Sequence, residues 1–189
     1  MKSALRERGK ALENEFFEKQ NRHLLEELRT AKQRGTDRAE LARACGVEDE
    51  RLLDLLLDVG VSAETVPALV LVPLLLVAWA EKEIRRPERF VVLETAAEYG
   101  IHTGSPAYAL VEDWLTVRPP PSLVTAWHEY VDVLRQIMEP DDRDEFSEAI
   151  LRRAKQVAQA AGGILGIAPR TSKEEHAVLD RLARAFDPQ

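Results

Sequence analysis

Fifteen consecutive residues from Val66 to Ala80, VPALVLVPLLLVAWA, carry no charge. A helix that is apolar all round has to be shielded from water on every side, in a bilayer or at the centre of a protein. A membrane span needs about 20 apolar residues to cross about 30 Å of hydrocarbon. This run is shorter than that and holds Pro67 and Pro73. It is therefore expected as the buried centre of a helical bundle. The pattern predicts one long helix over about 63–83, with Ser62 as its cap. A kink is expected at Pro73, where a backbone hydrogen bond is lost.

The rest of the chain supplies the cover. Apolar residues make up 45% of 189 positions and charged residues 31%. Nearly every segment repeats at helical spacing, and no useful strand-like alternation occurs. The expected fold class is all-α, an irregular bundle around the central apolar helix, with a long amphipathic helix at the N-terminus. That first helix is predicted over about 3–34, with Leu5, Leu12, Phe16, Phe17, Leu24, Leu25, Leu28 and Ala31 on a narrow stripe. Gly35 is expected to end it and Thr36 to cap the next. Two short helices follow, over about 37–45 and 48–59, joined at Gly46 and closed by Gly60. Further helices are expected over about 88–99, 106–116, from Ser122 to about 138, over 141–161 and over 172–186, nine in all. Thr171 and Glu174 fit a capping box for the last. The chain divides into an N-terminal extension, 1–61, and a helical domain, 62–189.

The stretch from Ser62 to Phe186 resembles the TerB-like family, helical domains named for tellurite-resistance proteins. The residues that carry the resemblance form a corner after the long apolar helix, Ala78-Trp79-Ala80-Glu81-Lys82-Glu83-Ile84-Arg85-Arg86-Pro87-Glu88. A second corner of similar kind, Gly166 to Glu175, precedes the last helix. The family corner reads Ala-x-Ala-Asp-Gly; here Glu81 replaces the aspartate and Lys82 the glycine. The resemblance implies an α-helical domain linked to stress responses and to divalent-metal binding. Carboxylate ligands at Glu81, Glu83 and Glu88 are the metal reading, since hard cations take oxygen ligands. Lys82, Arg85 and Arg86 oppose it, and a solvated helix end with Glu88 in the first turn is the plainer expectation.

Other patterns argue against chemistry. Lys and Arg number 26 against 33 Asp and Glu, a net charge of −7, so a general phosphate-backbone binder is not expected. Residues 37–60 have the outline of a helix-turn-helix. Their second helix, however, sets Glu48, Asp49, Glu50, Asp54 and Asp58 against Arg51 alone, which repels nucleic acid. The residues three before His23, His102, His128 and His176 are Gln20, Tyr99, Thr125 and Lys173. The Glu-x-x-His pairs of helical di-metal enzymes are therefore missing. No nucleophile motif or phosphate loop occurs. Cys45, the one cysteine, is expected as a small buried apolar residue, and Trp114, Trp127 and Tyr130 as core. No catalytic residue, cofactor or metal is assigned. The N-terminus has no apolar secretory segment, so the cytoplasm is expected. The mildly basic N-terminal helix on an acidic body suggests a non-enzymatic module. It would bind a protein partner or self-associate through that helix, away from nucleic acid and membrane.

Overall fold

A computed structural model describes residues 26, 28–161 and 171–186. Eight α-helices and one 3-10 helix occur among them, with no strand. We label the helices α1 (28–45), α2 (Glu50–Asp58), α3 (Val72–Ala78), α4 (Arg86–Glu98), α5 (Pro106–Thr116), α6 (Pro121–Ile137), α7 (Pro140–Ala161) and α8 (Lys173–Phe186). The 3-10 helix, Val66–Leu71, runs directly into α3.

The apolar run is the centre of the fold, as expected, and Ala68, Leu69, Leu71, Val72, Leu74, Leu75, Val77 and Ala78 are all at most 1% exposed. α7 and α8 pack on α3, α4 packs on α3 and on the 3-10 helix, and α5 closes the 3-10 helix. No helix among the described residues is long and apolar enough to cross a membrane. The single long helix over 63–83 is not found. Each proline lacks an N–H and is tolerated only in a first turn. Pro67 therefore opens the 3-10 helix and Pro73 opens α3, and the chain restarts its hydrogen-bond ladder instead of kinking. Nor does Ser62 act as a cap. Its N–H donates to Thr65 Oγ1 (2.7 Å), and its carbonyl accepts from Thr65 and Val66 N–H.

The N-terminal boundary also differs. Helix α1 passes through Gly35 and Thr36 without a break, so the two helices expected there are one. A mid-helix glycine costs about 1 kcal/mol, and three interactions offset it. Gln33 Nε2 donates to Asp37 Oδ1 across the glycine, Thr36 Oγ1 bonds back to the Lys32 carbonyl, and Arg34 and Arg38 both reach Asp54 on α2. Most of the stripe predicted for the first helix, Leu5 to Leu25, lies outside the described residues, as does the passage at Gly162, Gly163 and Gly166. Helix α2 starts later than expected because Asp49 caps it, accepting from Leu52 N–H (3.0 Å). Leu41, Cys45, Val47, Leu52, Leu53, Leu56 and Val61 are buried in the same core cluster as the central run.

Gly60 ends α2 as foreseen, and Gly100 ends α4 in the same way. Both have positive φ (84° and 77°), a conformation glycine adopts without strain. The next residue's N–H then reaches back to the last turn, Val61 to Leu56 and Ile101 to Ala96, both at 2.9 Å. Val61 and Ile101 are buried beneath these caps, in Schellman fashion. Ser105 caps α5, its hydroxyl accepting the Tyr108 N–H. Ser122 does not cap α6, because Pro121 already occupies the first turn and Pro120 precedes it with extended backbone. Ile137, the last residue of that helix, is 61% exposed, beyond the core.

Candidate functional site

Two places bring charge against the apolar centre. The first is the corner between α3 and α4. Glu88, expected on a solvated helix end, is instead 2% exposed. As the third residue of α4 its carboxylate accepts the Arg85 N–H (2.6 Å), an orphan donor of the helix start. Glu81 pairs with Arg85 Nη2 at 2.6 Å, and Glu83 is exposed. The start of α8 repeats the device. Glu175, 1% exposed, accepts the Ser172 N–H (2.5 Å) while Ser172 Oγ accepts the Glu175 N–H (3.2 Å). This is a capping box one residue later than the Thr171–Glu174 pair expected. Both readings satisfy the same sequence pattern, and burial against α3 selects the second.

Burial, and then the negative charge of Glu175, push the Glu88 carboxyl above the ordinary glutamate range, although the Arg85 N–H works the other way. Glu175 Oε1 is buried without a hydrogen-bond partner. Among the described residues no three His, Cys, Asp or Glu side chains gather closely enough to hold a metal ion.

The second place is a cleft over α3. Within the apolar run, Leu76, Trp79 and Ala80 are half-buried while their neighbours are covered. Their i, i+3, i+4 spacing puts them on one side of the chain. Two hollows of about 400 Å³ and 410 Å³ meet there. The first is lined by Leu76, Ala80, Val124, Val178 and Leu182 with Arg118, His128, Glu174 and Arg181. The second is lined by Val72, Leu75, Leu76, Trp79, Leu123 and Val124 with Arg118, Pro119 and Pro121. Arg118 stands at the junction. Its Nη2 donates to the Trp79 carbonyl (2.7 Å), and its guanidinium lies 6.0 Å from the centre of the Trp79 ring. That ring is fixed in turn, since its Nε1 donates to the Trp114 carbonyl (2.8 Å). The stiff Pro119–Pro121 connector therefore positions a cation beside the apolar floor. Neither Arg118 nor Arg181 pairs with a carboxylate among the described residues.

Sequence reasoning singled out the corner but not the cleft, because Arg118 is a single cation in a proline-rich connector and α8 lies far off in the chain. The remaining candidates are dispersed. His102, His128 and His176 are exposed on separate elements. Cys45 is buried, and burial raises its thiol pKa, which keeps it protonated and unreactive. The helix-turn-helix outline at 37–60 becomes α1 and α2 tied by ion pairs. Arg34 Nη2 meets Asp58 at 2.9 Å, and Arg38 Nη2 (2.7 Å) and Arg34 Nε (3.1 Å) both meet Asp54, which lowers the Asp54 pKa.

No protein-family model matches the chain, and no curated protein or solved structure shows significant similarity to it.

Proposed function

We propose that this protein is a non-enzymatic helical module that works by docking another polypeptide or a second copy of itself through its N-terminal helix. The observation that carries this reading is the exposure of the start of α1. Residues 28–33 are helical yet all exposed, with Leu28 at 58%. An amphipathic helix whose apolar residues stay uncovered offers a surface that a partner can bury. Leu28 and Ala31 stand three apart on one side of it, at the spacing of a helix-pairing seam. The resemblance of residues 62–186 to TerB-like domains supports a role in a stress-related system.

Sedimentation of the intact chain tests this reading. Self-association should appear at micromolar concentration and be lost in a Leu28→Glu/Ala31→Glu variant that keeps its helical circular dichroism. If the intact chain sediments as a monomer, and affinity capture with wild type and variant retains the same proteins, docking through this helix is wrong.

A second reading, a divalent-metal response at the α3–α4 corner, is favoured by the unpartnered Glu175 Oε1 near buried Glu88. Calorimetric titration with Ca²⁺, Mg²⁺, Mn²⁺ and Zn²⁺ tests it. Absence of binding heat, or heat unchanged by Glu88→Ala and by Glu81→Ala, dismisses that corner.

A further inference from the structure

We propose that the cleft between α3, α6 and α8 binds a straight-chain carboxylate of the fatty-acid type. Its chain would lie on Leu76, Val124 and Leu182, with its head group at Arg118 and Arg181. The inference does not rest on docking through α1.

Three observations converge. At the cleft the C-terminal part of the apolar run stays partly uncovered, with the half-buried Leu76, Trp79 and Ala80 lining hollows that α6 and α8 also line. Two adjoining hollows of about 400 Å³ and 410 Å³ fall in the size range of small-ligand sites, roughly 300–1,000 Å³, which are mostly apolar with a few placed polar groups. The polar groups here are chiefly cationic, in a chain of net charge −7. Arg118 and Arg181 line the first hollow with a single carboxylate, Glu174.

The cations are also held ready. Arg118 is anchored by the Trp79 carbonyl and ring, and one of Arg181's donors is satisfied by the Ala177 carbonyl of its own helix (Nε, 3.1 Å). A guanidinium carries five N–H donors, so each keeps donors for an incoming anion. A neutral apolar ligand would fill the floor but leave the guanidiniums unused. A polar anion such as phosphate would meet the guanidiniums but not the floor. A head group held by Arg118 and Arg181 leaves the apolar floor of the first hollow, Leu76, Val124 and Leu182, for the chain. A carboxylate on an alkyl chain satisfies both parts.

The full-length protein is titrated calorimetrically with dodecanoate below its micelle concentration, and in parallel with dodecanol. The expected result is one dodecanoate per chain, bound at least about tenfold more tightly than dodecanol, as a charge-assisted hydrogen bond allows. Arg118→Met and Arg181→Gln, both on the surface, should each weaken dodecanoate while leaving dodecanol unchanged. Val124→Trp should fill the cleft and abolish both. Equal affinity for acid and alcohol, several acids per chain, no binding heat, or dodecanoate binding unchanged in both arginine variants would each overturn the proposal. Displacement of dodecanoate by an equimolar synthetic peptide of residues 1–25 would also overturn it, since the cleft would then belong to the chain's own N-terminal segment.

Discussion

Glu88 and Glu175 show how one residue type at one position serves the backbone at an electrostatic cost. Each carboxylate satisfies an N–H at the start of its helix, yet each is buried against the apolar centre, where a charge is disfavoured. For Glu88 the cost exceeds the gain, and its pKa rises. The folded chain therefore holds this proton to a higher pH than the unfolded chain does. The stabilising contribution of Glu88 is complete below the unfolded value and declines as pH rises through the folded one. Glu88→Gln keeps an acceptor for the Arg85 N–H and removes the charge. Urea midpoints of the two proteins from pH 4 to pH 8 should diverge in favour of glutamine as pH rises. A constant difference across that range would show that Glu88 carries no such shift.

At the scale of the element, caps and prolines decide where helices start. Asp49, Ser105 and Ser172 each accept an N–H from the first turn of their helix, whereas Ser62 and Ser122, equally plausible in sequence, do not cap. Ser172→Ala should therefore lower stability by about 1 kcal/mol, the usual effect of losing a cap, read as a shift in denaturant midpoint. Thr171→Ala should change it by a few tenths at most. Equal effects would place the box at Thr171 and Glu174 instead. Helix α1 shows the opposite case, where a glycine expected to stop a helix is carried through by pairs on either side. Asp54 joins Arg34 and Arg38 of α1 to α2. Its lowered pKa means that this tie is present above the ordinary aspartate range and is released as pH falls through the folded value.

At the scale of the molecule, the core gathers residues from every helix around the central run. Trp127 packs edge-on to Phe186 at 5.8 Å, and Phe186 in turn packs against Phe146 at 6.1 Å, so α6, α7 and α8 share one aromatic contact chain. Leu75, in the middle of α3, is 1% exposed even though it borders the second hollow. Leu75→Ala should cost about 2–5 kcal/mol, the range for a buried leucine truncated in a packed core. Val117→Ala, at a position 70% exposed, should be close to neutral. Thermal or urea unfolding of the two variants measures the contrast, and similar losses would mean that the central run is not the stabilising core.

Composition and periodicity were enough to determine the all-α class and the burial of most of the run Val66–Ala80. Any chain must hide so long an uncharged run, and each amphipathic stripe, such as Val178, Leu179, Leu182 and Phe186, can face only inward. Local chemistry was enough for the turns at Gly60 and Gly100 and for the start of α5, because a positive φ and a serine before a proline are properties of a few adjacent residues. The tertiary structure alone decided the division of the central run into a 3-10 helix and α3, the passage of α1 through Gly35, the burial of Glu88 with Glu175, and the convergence of Arg118 and Arg181 on one cleft. Each of these depends on contacts between segments tens of residues apart, and the free energy of such contacts is not contained in any local window of sequence.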